Sequence, residues 1–330
     1  MDISKLAITA QAMVADNKGL LAADESTGTI GKRFDAINVI SSEDNRRDYR
    51  ELLLRAQDIE KFISGVILYD ETIRQSTTDG ISLVDLMVQK NIIPGIKVDA
   101  GAKPLSGSEN ETITEGLDGL VVRVEEYVGL GAQFAKWRAV IKIGSDMPSG
   151  YAIHTNAHAL ARYAKICQEG GLVPIVEPEV LMDGDHDVEV CQHVTEETLN
   201  AVFGEIYAQG VELEAMILKP NMIIPGSDCV DTIDTLEIAD RTVATLKRCV
   251  PAAVPGIMFL SGGQSEADAT LNLNTMNAQN SNLPWKLSYS YGRALQASAL
   301  QAWKGVKDNV VSAQKALTLR AKLNSEACKG

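Results

Sequence analysis

The chain has 330 residues, 45% of them hydrophobic, and a formal net charge of -13 at pH 7. That is apolar material enough for one large core, and the surplus of negative charge repels nucleic-acid backbones and anionic membrane surfaces before any specific contact forms. Both partner classes are therefore excluded, and an anionic ligand has to find a locally basic pocket.

The chain opens with Met1-Asp2-Ile3-Ser4-Lys5 and an amphipathic run, not with a basic segment and an apolar core. No apolar stretch approaches the roughly 20 residues needed to span a bilayer, so the expectation is a cytoplasmic protein without a signal peptide. Cys167, Cys191, Cys229, Cys249 and Cys328 are odd in number, widely spaced and free of C-x-x-C pairs, which predicts reduced thiols, not a disulfide framework or a zinc ribbon.

Eight short β-type runs then alternate with amphipathic helical stretches: residues 20–24, 65–70, 95–99, 134–143, 173–179, 215–219, 257–261 and 286–290. Polar caps mark helix starts at Ser41-x-x-Asp44, at Asn156 ahead of Leu160, Ala164 and Cys167, and at Ser265-x-x-Asp268. No linker or low-complexity tract divides the pattern. It predicts an α/β fold, one (β/α)8 TIM-barrel domain over residues 1–330, with an N-terminal helix and a C-terminal helical segment. An open doubly wound sheet is the rival. Its glycine-rich loop should follow the first strand, where Glu25-Ser26-Thr27-Gly28 stands, while Gly129-Leu130-Gly131 lacks a third glycine and reads as a helix stop.

Barrel enzymes gather their chemistry at the carboxyl ends of the strands. Asp24 closes the first run; Lys97 and Asp99 sit two apart at the third; Lys136, Arg138 and Lys142 share one face of the fourth. Glu177 and Glu179 share a face of the fifth, and Lys219 closes the sixth just before Pro220-Asn221. A charge inside an apolar run such as Ala215-Met216-Ile217-Leu218-Lys219 is costly unless paired or used. A lysine so placed, its pKa lowered by burial and cationic neighbours, can attack a carbonyl while adjacent carboxylates move the protons. The pattern predicts Schiff-base chemistry, and spacing leaves Lys97, Lys136, Lys142 and Lys219 all open as the nucleophile.

After the seventh run comes Leu260-Ser261-Gly262-Gly263-Gln264-Ser265, and the eighth ends Ser288-Tyr289-Ser290-Tyr291-Gly292-Arg293. Loops in these two places often hold phosphate with glycine N–H groups, a helix amino terminus and a cation. Ser26, Thr29, Lys32 and Arg33 form a second candidate anion site, which suits a substrate phosphorylated at both ends.

These residues closely resemble class I fructose-bisphosphate aldolases, from about Lys18 to Gly330. The resemblance is carried, in order, by Leu-Ala-Ala-Asp-Glu-Ser-Thr-Gly (21–28), Gly-Ile-Lys-Val-Asp (95–99), Phe-Ala-Lys-Trp-Arg (134–138), Ile-Val-Glu-Pro-Glu (175–179), Leu-Lys-Pro-Asn (218–221), Phe-Leu-Ser-Gly-Gly-Gln (259–264) and Ser-Tyr-Gly-Arg-Ala-Leu-Gln (290–296). It implies that Lys219 forms the Schiff base with C2 of fructose 1,6-bisphosphate. Glu177 would act as acid and base in carbinolamine dehydration and on the C4 hydroxyl proton, with Asp24, Lys136 and Glu179 orienting and tuning them. Ser261, Gly262, Gly263, Ser290, Gly292 and Arg293 would hold the C1 phosphate, with Ser26, Arg33 and Lys97 near the other and Arg138 also contacting substrate. It further implies a metal- and cofactor-free reaction of glycolysis and gluconeogenesis, and a homotetramer. The chain departs from many members at Thr29, where they have serine, and ends at Gly330, where they continue into a segment that finishes in tyrosine.

Metal-dependent aldolases need a histidine cluster, and only His154, His158, His186 and His193 are available. His154 and His158 follow Ser149-Gly150 in a predicted loop without a third ligand, so no metal site is expected. Asp183-Gly184-Asp185-His186-Asp187 reads as a solvated loop, because Val188 occupies the glycine position of a calcium motif. The alternatives are another lysine Schiff-base barrel enzyme such as a transaldolase, which needs no second phosphate site, and a non-catalytic sugar-phosphate-binding homologue.

Overall fold

The computed structural model describes residues 2–330. Eight parallel strands close a barrel: β1 (Gly19–Ala23), β2 (Ile63–Leu68), β3 (Ile93–Lys97), β6 (Phe134–Ile141), β7 (Val173–Val180), β8 (Ile217–Leu218), β9 (Gly256–Phe259) and β10 (Lys286–Tyr291), with β10 pairing back onto β1. A two-stranded hairpin, β4 (Ala102–Pro104) with β5 (Thr112–Thr114), interrupts the crossover from β3 to β6. The helices are α1 (Ile3–Met13), α2 (Thr27–Asp35), α3 (Glu43–Leu54), α4 (Asp70–Ile73), α5 (Leu83–Gln89), α6 (Leu120–Gly129), α7 (Gly150–Gly170), α8 (Val188–Ala208), α9 (Thr235–Cys249), α10 (Glu266–Gln279), α11 (Arg293–Trp303) and α12 (Val310–Ala327). The predicted (β/α)8 barrel, amino-terminal helix and carboxyl-terminal helices are all present.

Two apolar layers follow from strand alternation. Residues pointing inward, including Leu20, Ala22, Ile67, Phe134, Ile175, Ile217 and Met258, pack with Leu6, Ala10 and Met13 of α1. The amino-terminal helix thus fills one end of the barrel. Phe134 needs the space that Gly95 leaves, since a Cβ there would lie 2.2 Å from its ring. The larger layer lies between strands and outer helices, where Trp137 stacks on Tyr163 with ring centroids 5.4 Å apart.

Three readings shift. The run at 215–219 contributes only Ile217–Leu218 to a ladder, because Leu213–Ala215 forms a 3-10 turn and Pro220 has no N–H to pair. Asn156 does not start a helix: Ser149 caps α7, accepting the Ala152 N–H at 3.1 Å, and Asn156 lies inside it. Its amide instead donates to the Thr112 carbonyl at 2.8 Å and accepts the Thr114 N–H at 3.4 Å, tying the hairpin down. The cap of α3 is Ser42, one residue beyond Ser41. Ser265 caps α10 as expected, and Gly131, at φ +98°, follows the end of α6.

Candidate active site

The carboxyl ends of the strands surround a cleft of about 670 Å³. Its floor holds four charged groups: Asp24 just past β1, Lys136 in β6, Glu177 in β7 and Lys219 just past β8. All are buried, with 3% exposure for Lys219 and Glu177, 5% for Lys136 and 9% for Asp24.

Charge alternates along this group. Lys136 Nζ lies 3.1 Å from Asp24 Oδ2 and 2.9 Å from Glu177 Oε2, while Lys219 Nζ lies 3.1 Å from Glu177 Oε1. Two carboxylates and two ammonium groups cancel, which is what makes their shared desolvation tolerable. Burial alone would raise Asp24, but Lys136, Lys219 and Lys97 hold its carboxyl at about 2. Glu177 is likewise pushed up by burial and brought below its ordinary value by Lys136, Lys219 and Arg138. Burial pushes Lys136 down, and Asp24, Glu177 and Asp99 more than reverse it, keeping the ammonium charged. Among the four alternatives of the sequence, Lys219 faces a single carboxylate of this group, whereas Lys136 is clamped between two. Lys97 is taken by Asp99, with Nζ 2.7 Å from Oδ1 and 3.1 Å from the Asp99 carbonyl oxygen. Lys142 lies beyond β6, exposed and outside the cleft, because the strand ends at Ile141 and Gly144 pairs with Met147 in the following turn.

The cleft walls bring together the predicted anion-binding groups. Ser261, Gly262, Gly263, Ser290, Gly292 and Arg293 line one side, with Gly262 and Gly263 in the left-handed region at φ +53° and +87°. A Cβ on Gly263 would lie 2.5 Å from Met182 Sδ and 3.3 Å from Arg293 Nη2, so the loop needs glycine there twice over. Ser290 is 1% exposed, and its hydroxyl has no hydrogen-bond partner among the described residues. Ser26, Thr29, Lys32, Arg33, Lys97 and Arg138 line the cleft as well. Ser26 also caps α2, accepting the Thr29 N–H at 3.3 Å. Arg33 borders Gly292, where a Cβ would sit 3.9 Å from Arg33 Nη2; the two predicted anion sites are contiguous.

The cleft cations arrive tethered. Arg138 pairs with Glu179, which therefore contacts the arginine of the neighbouring strand and neither floor lysine. Arg33 pairs with Glu25, a residue the sequence reading passed over. Glu25 is also bound by the buried Arg50, at 2.7 Å, and by Gln296 Nε2 at 2.9 Å, with Tyr49 donating to Gln296 Oε1 at 3.1 Å. One signal for Arg50 was present: it shares the apolar stripe of α3 with Leu53 and Leu54, three and four residues on. His154 and His158 lie in α7, not a loop, and both approach Glu205, at 3.7 and 3.1 Å. The loop at 183–187 is only partly solvated, since His186 is buried and its carbonyl accepts the Gly226 N–H at 2.8 Å.

The family model described as class-I fructose-bisphosphate aldolase matches residues 5–330. A probable fructose-bisphosphate aldolase class 1 of Xanthomonas campestris pv. campestris is 56% identical over 331 aligned positions, covering 100% of this chain and 99% of that one. The cytosolic fructose-bisphosphate aldolase 4 of Arabidopsis thaliana is 56% identical over 313 positions, 95% of this chain and 80% of its own. Fructose-bisphosphate aldolase B of Gallus gallus is 53% identical over 322 positions, 97% and 88% of the two chains. Among solved structures, the fructose-bisphosphate aldolase of Plasmodium falciparum, in a ternary complex with TRAP and a small-molecule inhibitor, matches with a TM-score of 0.98 at 50% identity, covering 99% of this chain and 94% of that one. Barrel, charged floor and full-length similarity agree, and the chain belongs to the class-I fructose-bisphosphate aldolase family.

Proposed function

We propose that this enzyme cleaves fructose 1,6-bisphosphate reversibly into dihydroxyacetone phosphate and glyceraldehyde 3-phosphate, with Lys219 as the imine-forming residue. The observation that carries the assignment is the floor itself: Lys219 Nζ meets one oxygen of Glu177 at 3.1 Å while Lys136 occupies the other at 2.9 Å. Lys136 keeps Glu177 ionised, so its free reach is toward the proton that the Lys219 amine sheds before attacking the ketose C2. The same carboxyl returns a proton to the carbinolamine hydroxyl, which leaves as water and gives the protonated imine.

Cleavage then needs a base for the C4 hydroxyl proton and a sink for the C3–C4 bonding electrons. Glu177, regenerated as carboxylate, takes the proton. The iminium nitrogen takes the electrons, forming an enamine as the aldehyde departs. Protonation at C3 and hydrolysis release the second triose phosphate and restore Lys219. Asp24, charged throughout, balances the cationic intermediate beside Lys136. The loops carrying Ser261 to Gly263 and Ser290 to Arg293 hold the C1 phosphate, and Ser26, Arg33, Lys97 and Arg138 receive the other end of the substrate. The reaction is the reversible step of glycolysis and gluconeogenesis.

Borohydride trapping with fructose 1,6-bisphosphate and excess chelator, followed by peptide mass mapping, is expected to give an adduct on Lys219. An adduct on Lys97 or Lys136 instead sinks the assignment. Cleavage of a singly phosphorylated ketose as fast as the bisphosphate would favour a transaldolase-like enzyme. The protein is further proposed to act as one cytoplasmic barrel domain assembled into homotetramers; a light-scattering mass near the 35.6 kDa of one chain would refute the assembly.

A further inference from the structure

Glu177 lies in β7 and Lys219 just past the neighbouring β8, and each is followed directly by a proline, Pro178 and Pro220. The Val176 carbonyl accepts the Lys219 N–H at 2.8 Å, and backbone groups alternate sides along a strand, so Val176, Pro178 and Val180 all turn toward β8. In a parallel ladder the next bond runs from the N–H of residue 178 to the carbonyl of Lys219. Proline supplies no N–H, so that bond is missing, while Pro220 turns the other way, its carbonyl accepting the Leu260 N–H at 3.1 Å. Backbone pairing of β7 with β8 therefore stops beside the two reacting side chains, and β8 is only two residues long.

Asn221 takes over where the ladder stops. Its Oδ1 accepts the Val180 N–H at 3.1 Å, the next donor on that edge of β7. Its Nδ2 donates to Thr195 Oγ1 on α8 at 3.1 Å and to the Met222 carbonyl at 3.1 Å. The side chain is buried, and these bonds join β7, α8 and the segment that carries Lys219.

We propose that Asn221 is a positioning residue for the Lys219–Glu177 pair, its side-chain amide closing the backbone gap that Pro178 leaves beside Lys219. The inference rests on Lys219 as the imine-forming residue. Without the amide, the segment after β8 is free to draw away from β7, and Lys219 Nζ leaves its 3.1 Å contact with Glu177. A displacement of about 1 Å at a reacting group costs on the order of 100-fold in rate.

The test is borohydride trapping with fructose 1,6-bisphosphate on the full-length protein, beside steady-state kinetics. Asn221→Ala is expected to slow trapping and kcat together by roughly 10- to 100-fold while KM stays within about threefold. Pro178→Ala restores the missing backbone donor, so the double variant Pro178→Ala/Asn221→Ala should trap at least about threefold faster than Asn221→Ala alone. Trapping by Asn221→Ala within about twofold of the parent, whatever its melting temperature, overturns the proposal. So does a double variant no faster than the single one. If Asn221→Ala does not fold, Thr195→Val and Thr195→Ser carry the test: valine should slow trapping and serine restore it, and equal rates overturn the idea. A parent adduct on another lysine is a different result, in which the nucleophile assignment fails and the positioning role with it.

Discussion

Lys219→Met is expected to abolish both the borohydride adduct and ketose cleavage, lowering kcat by on the order of 10⁴-fold or more, as removal of a covalent nucleophile does. Methionine keeps the length and apolar stem of the lysine and removes only the amine, so the loss reports chemistry and not space. The fold should survive, because Glu177 keeps its ion pair with Lys136 at 2.9 Å and is not left uncompensated. Substrate binding should survive as well, since the phosphate-holding groups proposed above come from other elements; bisphosphate should still protect the variant from thermal unfolding. A variant that retains more than about one hundredth of the parent rate would mean that another amine forms the imine.

Much of the barrel and of its charged floor was legible in the chain because both depend on strand periodicity. Lys136 and Arg138, or Glu177 and Glu179, are two residues apart in runs that are otherwise apolar, and a two-residue spacing puts them on one face of whatever strand forms. The glycine pair at 262–263 was legible for a similar local reason, since a turn that opens a helix there calls for left-handed backbone. Pairing across the sequence was not. Glu25 meets Arg50 and Gln296 from two helices far along the chain, and no spacing encodes those contacts. Asn156 has the chemistry of a cap and the place of a mid-helix residue, and its partners at Thr112 and Thr114 exist only once the hairpin folds over α7. Strand ends failed for a third reason. Periodicity carried the fourth run on to Ile143 and gave the sixth five residues, whereas prolines and turns, which act on hydrogen bonds and not on polarity, ended them earlier.

The other large effect is expected at Lys136, and it is an effect on stability as much as on rate. Lys136→Met removes the cation that sits 3.1 Å from Asp24 and 2.9 Å from Glu177, leaving two buried carboxylates with Lys219 as their nearest countercharge. Breaking a buried pair in this way costs about 3–5 kcal/mol near neutral pH. In the parent, Asp24 is held at about 2 against an ordinary value of 3.8. A carboxyl depressed on folding contributes stability that is complete above its unfolded value and is lost as pH falls through its folded one, so the parent should weaken between about pH 4 and 2. In the variant the burial that already pushes Asp24 and Glu177 upward loses its main opponent, and their folded values rise above the ordinary ones. The sign then reverses: protonating them on folding becomes favourable, and stability falls as pH rises from about 4 toward 7. Without Lys136 to hold Glu177 ionised and in place, less carboxylate is free to accept the Lys219 proton, and kcat should drop by on the order of 10²- to 10⁴-fold. Chemical denaturation of parent and variant at pH 4 and pH 7 decides the matter. A variant as stable as the parent at pH 7, or one whose stability does not fall between pH 4 and pH 7, would show that Lys136 does not hold the floor together.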